Sequence, residues 1–375
     1  MENFVYYNPT KIEFGKEKEK KIGKFIKDAG FKKVLLVYGS ERIKKDGLFE
    51  TVSNSLKDNN IEFLSFGGVI SNPILKTVQD AIKIAKNEKI EAILSVGGGS
   101  VLDSCKTIAV GTLYDGDVWD FFGGKKVIEK ALPIFDIITL AATGSEMNGY
   151  AVITNEKTKH KDSIWSPFVY PKVSIINPEL QKSVSKEYLT YSAADIIAHC
   201  IEGYFTAKVQ PTYMSRQVEN IIKTVMETTE ILLKNPDDYS ARGDFAWAAT
   251  NALNGTTTVG TSDFSFPNHM IEHSLSALYN VPHGAGLSVV MPAWMKWYYK
   301  QNEAQFIRFA KELFGKNSAL EGIEALENWF NKIGTPTKLA QFSLSENNFA
   351  DIIENLSFQD EYSKQDLEEI LKNAI

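Results

Sequence analysis

The chain has 375 residues, of which 43% are hydrophobic and 23% are charged, and its formal net charge at pH 7 is −6. These values are typical of a globular protein long enough for two domains, each with its own core. They argue against a nucleic-acid partner, which requires a basic surface, and no apolar run is long enough to span a membrane. The opening residues lack the features of a secretion signal, and the two cysteines suit free thiols in a reducing compartment, so we expect a cytoplasmic protein.

Strand and helix patterns alternate through the first half of the chain. Residues 4–15 predict a short, extended, hairpin-like opening, and helices are predicted before Gly30, at 48–59 and at 74–89. The predicted strands are 32–39, 61–69, 91–96, 133–139, 150–154 and 171–177. This alternation is typical of an α/β fold with a parallel, doubly wound sheet.

After residue 182 the pattern changes and does not revert. Apolar residues recur at helical spacing from there to the C-terminus, and no segment alternates as a strand does. The sequence therefore predicts an α/β domain over residues 1–182 and an all-helical domain over residues 183–375.

A glycine-rich turn, Gly97-Gly98-Gly99-Ser100, joins a predicted strand to a predicted helix. Glycines at such a turn let the backbone approach a phosphate closely, and a helix N-terminus offers unpaired N–H groups. The pattern is not GxGxxG, however, and tight strand-to-helix turns also use glycine for steric reasons alone. Both explanations stay open. The polar loop 140–148 follows another predicted strand, where ligands bind in open α/β sheets.

Three of the five histidines lie in one segment, 267–284. His269 and His273 are four residues apart and share a helix face, and a Val-Pro break before His283 lets that residue turn back toward them. Spacing alone would select His269 and His273 as metal ligands. Such a pair is, however, often only packing or solvent-facing.

A fourth histidine, His199, lies four residues after Asp195 in another predicted helix. This pair also shares a helix face. Three imidazoles with one carboxylate form a plausible nitrogen and oxygen site for a divalent transition metal.

Four motifs, taken in order along the chain, resemble those of the iron-containing, or group III, alcohol dehydrogenase family. They are GGGSVLD from Gly97, T-x-x-x-T-G-S-E from Thr139, D-x-x-x-H from Asp195, and, from His269, H-x-x-x-H followed ten residues later by a third histidine. The resemblance spans nearly the whole chain and implies the two-domain fold predicted above, with a nucleotide-binding domain over residues 1–182 and a metal-binding and substrate domain over residues 183–375. Within the family, the chain resembles the butanol dehydrogenase and broad-specificity aldehyde reductase branch, through VLLVYG followed by IKKDG and through Trp119.

The resemblance also implies roles for the metal-site residues. The implied ligands of a divalent ion, Fe²⁺ or Zn²⁺, are Asp195, His199, His269 and His283. His273 is then left beside the metal as a catalytic residue that can titrate and pass protons.

For the cofactor, the resemblance implies that the pyrophosphate binds to Gly98, Gly99 and Ser100, with Asp103 nearby. The other positions that match nucleotide-binding residues of the family are Asn72, Thr139, Leu140, Thr143, Asn148, Lys161 and Leu180. Each has a structural alternative, such as helix capping or core packing. The aromatic residues 119, 121 and 122 either shape an apolar substrate pocket or belong to the domain core.

We expect NADP(H) to be preferred, with NAD(H) also possible. By resemblance, family members that prefer NAD carry an aspartate at the position of Gly39, which repels a 2′-phosphate. Gly39 removes that repulsion, Ser40 can donate a hydrogen bond, and three basic residues follow in the next turn. Glu41 stands against this expectation, because a carboxylate turned inward would favour NADH.

The function implied is a metal-dependent, NAD(P)H-linked alcohol dehydrogenase or aldehyde reductase that acts on short-to-medium aldehydes and primary alcohols. We expect a homodimer without a nucleic-acid or membrane partner. One alternative is a non-redox lyase or cyclase of the dehydroquinate synthase type, which shares the architecture. Another is a metal- or nucleotide-binding protein without turnover.

Overall fold

The computed structural model describes residues 1–356 and 362–375. The chain divides into two compact units. The sheet unit comprises Tyr7–Ser183, and the helical unit comprises Met1–Tyr6 together with Val184–Ile375.

Six parallel strands form the main sheet of the sheet unit. The described part of the unit has eight strands, six in this sheet and two in a separate pair. In chain order they are β1 (Lys11–Phe14), β2 (Lys33–Tyr38), β3 (Glu62–Phe66), β4 (Ala92–Gly97), β5 (Ile134–Ile138), β6 (Tyr150–Asn155), β7 (His160–Trp165) and β8 (Val173–Ile176). The order across the sheet is β1-β8-β5-β4-β2-β3, and β6 and β7 form a separate antiparallel pair. The predicted α/β class with a parallel sheet is confirmed.

Helices cover both faces of this sheet. They are α1 (Ile22–Asp28), α2 (Arg42–Lys45), α3 (Leu48–Asp58), α4 (Leu75–Asn87) and α5 (Gly99–Thr112). Alternate residues of β2 belong to different apolar clusters: Leu35 and Val37 pack with residues of α4 and α5, whereas Val34 and Leu36 pack with residues of α1 and α3. Because successive strand residues point to opposite faces, the sheet is covered on both sides, as in a doubly wound fold.

Two details of the predicted sheet were wrong. The opening is not a hairpin, because Lys11–Phe14 pairs in parallel with β8, in the register Lys11↔Val173. A local pattern cannot report so distant a partner. The strand β7 was also missed, since its sequence HKDSIW is largely polar. It pairs along its whole length with β6, from Tyr150↔Trp165 to Asn155↔His160.

The helical unit is built around a long central helix, α6 (Lys186–Thr206), which is buried on nearly every face from Leu189 to Phe205. The remaining helices are α7 (Thr212–Lys234), α8 (Tyr239–Ala252), α9 (Pro267–Tyr279), α10 (His283–Tyr298), α11 (Glu303–Phe314), α12 (Ala319–Ile333), α13 (Phe349–Glu354) and α14 (Lys364–Asn373). In the described part of this unit there is no strand, as predicted. Within residues 1–356 and 362–375, no helix has both the length and the apolar character needed to cross a lipid bilayer.

The aromatic residues considered for a substrate pocket lie in the core of the sheet unit. Phe121 and Phe122 are buried in the apolar cluster around α4 and α5, and Trp119 packs against that cluster. The rings of Trp119 and Phe122 stack, with their centroids 4.5 Å apart. The core alternative is therefore the one that the structure supports.

Candidate functional site

Helix α6 carries three acidic or imidazole side chains on one buried face. Ser185 caps its N-terminus by accepting a hydrogen bond from the backbone N–H of Tyr188. Asp195, His199 and Glu202 then follow at intervals of four and three residues, so they project from the same side of the helix. All three are buried. Burial of charge is costly unless partners are supplied, and here they come from α9 and α10.

The break between α9 and α10 brings two more histidines to this face. Helix α9 ends at Tyr279 and is capped by Asn280, whose φ of 53° is left-handed, and α10 begins at His283 after Pro282. A Cβ atom on Gly284 would lie 2.0 Å from the backbone oxygen of Tyr191 in α6. Only glycine therefore permits this close approach of α10 to α6, which carries His283 toward Asp195.

Three imidazole nitrogens converge on one carboxylate oxygen. The Nε2 atoms of His199, His269 and His283 each lie 3.6 Å from Oδ1 of Asp195. Ligand atoms about 2.1 Å from a tetrahedral ion are roughly 3.4 Å apart, so this spacing is the one that such an ion needs.

Two of these ligand atoms are also buried without other partners. Asp195 Oδ1 and His269 Nε2 have no hydrogen-bond partner within the described ranges. Buried polar atoms are rarely left unpaired, and a bound ion would satisfy both of them. The residues present thus fit a divalent metal.

Two further carboxylates orient the imidazoles. His269 Nδ1 donates to Glu202 Oε1 at 2.9 Å, and His283 Nδ1 donates to Glu272 Oε2. Both glutamates are fully buried. With Nδ1 holding the proton, Nε2 presents its lone pair to the cluster, which is the tautomer that a metal ligand requires.

Glu272 is itself held in place from two sides. Ser276, one turn later on α9, donates its hydroxyl to Glu272 Oε1. On α10, a Cβ atom on Gly286 would lie 2.8 Å from Glu272 Cγ, so the glycine leaves the space that this carboxylate occupies.

The titrating groups of the cluster influence each other strongly. Burial raises the pKa of Asp195, but attraction to the imidazoles of His199, His269 and His283 outweighs it, so the pKa lies below its ordinary range. Burial lowers the pKa of His199 to about 3. Burial also lowers the pKa of His269, but Asp195 and Glu202 outweigh this effect and raise it to about 9. The carboxylates of Asp195 and Glu202 therefore favour positive charge at His269, whereas burial disfavours it at His199.

His273 lies beside this cluster. Its ring centroid is 5.8 Å from that of His283, and its side chain is half-buried. It forms a second group of potential ligands with Glu272 and His283, whereas Asp195, His199 and His269 form the first.

The predicted cofactor residues after β4 and β5 lie against each other. The backbone N–H of Thr139 donates to the carbonyl of Gly97 at 2.9 Å. Cβ atoms on Gly98 and Gly99 would lie 3.2 Å from Leu140 Cβ and 2.5 Å from Thr143 Oγ1. The absence of a Cβ atom at Gly99 thus leaves the space that the Thr143 side chain occupies, and Gly98 lies in close contact with Leu140. No side chain caps the first turn of α5 at Gly98, which leaves its N–H groups available to a phosphate.

Two other predicted residues are joined by a hydrogen bond, from Lys161 Nζ to Asn72 Oδ1 at 3.1 Å. Asp103 uses both carboxylate oxygens within the unit, accepting from Ser145 Oγ at 2.8 Å and from the backbone N–H of Val152 at 3.1 Å. Leu180 packs against the apolar cluster under α1 and α3.

The end of β2 carries the residues expected to distinguish NADP from NAD. A Cβ atom on Gly39 would lie 3.1 Å from the carbonyl of Val69, and Ser40 is exposed. The carboxylate of Glu41 accepts from the hydroxyl of Tyr38 at 3.0 Å and forms an ion pair with Lys44 at 2.8 Å.

Sequence analysis missed Glu202, Glu272 and Gly284. A signal existed for Glu202, which extends the motif D-x-x-x-H to D-x-x-x-H-x-x-E on one helix face. Glu272 and Gly284 had no such signal, because His283 and Tyr191, which they contact at the site, belong to other helices.

This geometry accompanies clear similarity to known proteins. Residues 9–178 match the model of the family described as iron-containing alcohol dehydrogenase, and residues 189–375 match the C-terminal model of the Fe-containing alcohol dehydrogenase family. A probable NADH-dependent butanol dehydrogenase of Bacillus subtilis (strain 168) is 38% identical over 354 residues, covering 92% of this chain and 91% of that protein. An NADPH-dependent aldehyde reductase of Escherichia coli (strain K12) is 31% identical, covering 95% and 93%.

The solved structures agree. The crystal structure of an NADH-dependent butanol dehydrogenase A from Thermotoga maritima is 49% identical to this chain, with a TM-score of 0.97 and coverage of 100% of this chain and 99% of that one.

The chain belongs to the iron-containing alcohol dehydrogenase family. It is therefore a metal-dependent, NAD(P)-linked oxidoreductase that interconverts alcohols and aldehydes, and the lyase alternative is not favoured.

Proposed function

We propose that this chain reduces short-to-medium aldehydes to primary alcohols, and catalyses the reverse reaction, at a metal ion held by Asp195, His199, His269 and His283. The observation that carries the proposal is the convergence of three Nε2 atoms at 3.6 Å from one carboxylate oxygen. The names of the similar proteins, butanol dehydrogenases and an aldehyde reductase, support substrates of this size.

We infer roles for the chain's own groups that are consistent with this geometry. A bound divalent ion supplies Lewis-acid polarisation of the substrate oxygen. Glu202 and Glu272 keep two ligand imidazoles in the tautomer that binds it. His273, which lies beside His283, passes a proton to or from the substrate oxygen.

In the sheet unit, we assign the pyrophosphate to the N–H groups of the first turn of α5, at Gly98, Gly99 and Ser100. The other nucleotide-binding positions that we propose are Gly39, Ser40, Asn72, Asp103, Thr139, Leu140, Thr143, Asn148, Lys161 and Leu180.

The chemistry of the four proposed ligands narrows the identity of the metal to a few divalent transition ions. Three imidazoles and one carboxylate suit Fe²⁺ and Zn²⁺, and we propose one of these as the native ion. Metal analysis of protein purified without added metal distinguishes them.

The preference for NADPH remains a proposal, and two sets of observations bear on it. The absence of an acidic residue at Gly39 and the exposed position of Glu41 favour NADPH. The pairing of Glu41 with Lys44, which neutralises one cation of the turn, favours NADH. The similar proteins of B. subtilis and T. maritima are named NADH-dependent, and that of E. coli is named NADPH-dependent.

We also propose a cytoplasmic homodimer. Both cysteines are free and buried, which suits a reducing compartment. In the described part of the sheet, β1 is an edge strand next to β8, and an edge strand can pair with a second copy of the chain. Light scattering after size exclusion tests the dimer.

A panel of straight-chain aldehydes, assayed with NADH and with NADPH on protein of defined metal content, tests the proposed activity. One mole of reduced nucleotide should be consumed for each mole of alcohol formed, only in the presence of metal. Turnover without net consumption would support the lyase alternative, and no turnover with any aldehyde would support a binding protein.

A further inference from the structure

Lys106, on α5, is a fully buried lysine that the proposed activity does not use. Its exposed fraction is 0%. The Nζ atom contacts three backbone carbonyls, those of Ser145 at 2.8 Å, Asn148 at 2.9 Å and Tyr150 at 2.8 Å. It also contacts two side-chain oxygens, Ser145 Oγ at 2.8 Å and Asn148 Oδ1 at 3.1 Å. The three protons of an ammonium group are therefore shared among five acceptors on one short stretch of chain.

Packing alone does not explain this residue. Lysine is almost never fully buried, and an apolar side chain of similar length would fill the space without the cost of removing a charge from water. That cost is visible in the pKa of Lys106, which burial lowers to about 8 although nearby carboxylates oppose the shift. What an apolar residue cannot do is draw two carbonyls of an irregular loop and the first carbonyl of β6 toward one point.

The loop that Lys106 holds is the one predicted to contact the nucleotide. Apart from a single short turn at Ser145–Met147, the stretch from Thr143 to Gly149 has no regular structure, and its Gly144 has a left-handed φ of 59°. Its first residue, Thr143, lies against Gly99 at the start of α5.

Helix α5 contacts this loop at a second point. Asp103, one turn before Lys106, accepts a hydrogen bond from Ser145 Oγ, and that hydroxyl also contacts Lys106 Nζ. The two residues form a clamp that joins the loop to the helix whose N-terminus is the proposed pyrophosphate site.

We propose that Lys106 is a positioning residue, which fixes the loop from Thr143 to Tyr150 against α5 in the conformation that binds the nicotinamide nucleotide. This inference rests on the proposed function, because the loop matters only if the nucleotide binds there. Lys106 acts through the loop, and Asp103 acts with it as the second point of the clamp.

The test compares Lys106→Met with Thr107→Val, both as metal-loaded, full-length proteins. Thr107 is the matched control, since it is the next residue of α5, is fully buried, and donates its hydroxyl to the carbonyl of Asp103 in its own helix. The dissociation constants of NADH and NADPH are measured directly by nucleotide fluorescence. The KM of the aldehyde is measured at saturating nucleotide, and circular dichroism checks that each variant is folded at the assay temperature.

We expect Lys106→Met to raise both nucleotide dissociation constants about tenfold, and Thr107→Val to leave them unchanged. Metal content and the KM of the aldehyde should change less than twofold in both variants. General damage to the fold would instead weaken nucleotide, metal and aldehyde binding together. If Lys106→Met does not fold, Lys106→Gln, which keeps two donors and loses the charge, takes its place with an expected rise of at least threefold.

A rise below threefold in a folded variant, or a parallel loss of metal and of aldehyde binding, overturns the inference. Failure of the proposed function gives a different result. In that case the wild-type protein itself binds neither nucleotide, whereas failure of the inference alone leaves wild-type binding intact and matched by Lys106→Met.

Discussion

Gly284 lies so close to the backbone oxygen of Tyr191 that a Cβ atom would stand 2.0 Å from it. We expect Gly284→Ala to push the start of α10 away from α6 and to move His283 out of range of Asp195. Metal affinity should fall at least about tenfold, as measured by competition with a chromogenic chelator. Binding of nucleotide, which we place in the sheet unit, should remain. Unchanged metal affinity would mean that α10 can shift without cost and that the glycine does not position the ligand.

Glu202 and Glu272 each orient one imidazole of the cluster. Glu202→Gln and Glu272→Gln should lower metal affinity by about 10–100-fold while leaving all four ligands in place, because loss of the carboxylate weakens the preference for the required tautomer. Glu219→Gln is the control. Glu219 is also a buried glutamate of the helical unit, but it pairs with Arg308 and Tyr204. This control should lose stability and keep its affinity for metal, whereas equal losses in all three variants would contradict the orienting role.

His283 and His273 should differ in what their loss removes. We expect His283→Ala to abolish activity and lower metal content, since it deletes one of four converging ligand atoms. His273→Ala should keep the metal, lower kcat and change the pH dependence of turnover. Elemental analysis and pH–rate profiles of both variants check this. Loss of metal from His273→Ala would restore the pair His269 and His273 as the ligands.

Glu41 controls the charge at the end of β2. Its replacement by glycine frees Lys44 and removes a carboxylate, so the ratio of kcat/KM with NADPH to kcat/KM with NADH should rise about tenfold, given about 1.5 kcal/mol for one charged contact. Glu41→Gln, which keeps the size and removes the charge, should reproduce most of the rise. An unchanged ratio in both variants would show that Glu41 does not face the ribose.

Lys106 should give the stability of the protein a distinctive pH dependence. Burial lowers its pKa to about 8 from an ordinary 10.5, against the attraction of Asp103, Asp136 and Glu146. Between these two values the unfolded chain holds a proton that the folded chain does not, so this lysine's contribution to the free energy of unfolding rises with pH in that window and is constant below it. The difference in free energy of unfolding between wild type and Lys106→Met should therefore increase from pH 8 to pH 10. Free energies of unfolding are measured by denaturant titration at each pH. A difference between the two proteins that stays constant from pH 8 to pH 10 would contradict the lowered pKa.

Much of the sheet was predictable because buried parallel strands contain continuous apolar runs, as in Val34–Val37 and Ala92–Leu94. The errors concern features that the local sequence does not contain. The partner of β1 lies far away in the chain, and β7 is polar because the antiparallel pair is not buried on both faces. Register and partner are tertiary properties.

The candidate site, like the sheet, was predictable where local spacing determines it and not where tertiary contacts do. Spacing found the helical pairs Asp195 with His199 and His269 with His273, but it favoured a ligand pair that the resemblance replaced. The choice of His283 depends on where α9 ends and on how closely α10 approaches α6 at Gly284, and neither is a periodic feature of the sequence. Glu272 escaped attention because a glutamate on a helix is ordinarily solvated, and only the fold shows that it is buried.

The four converging side chains also join parts of the chain that are distant in sequence. Asp195 and His199 belong to α6, whereas His269 and His283 come after α7 and α8, so an ion held by all four closes a long loop that contains both of these helices. Such a closure restricts the unfolded ensemble and links folding to the free concentration of metal. Heating should consequently melt the helical unit at a temperature set by metal supply, and a chelator should act on this protein as a selective denaturant.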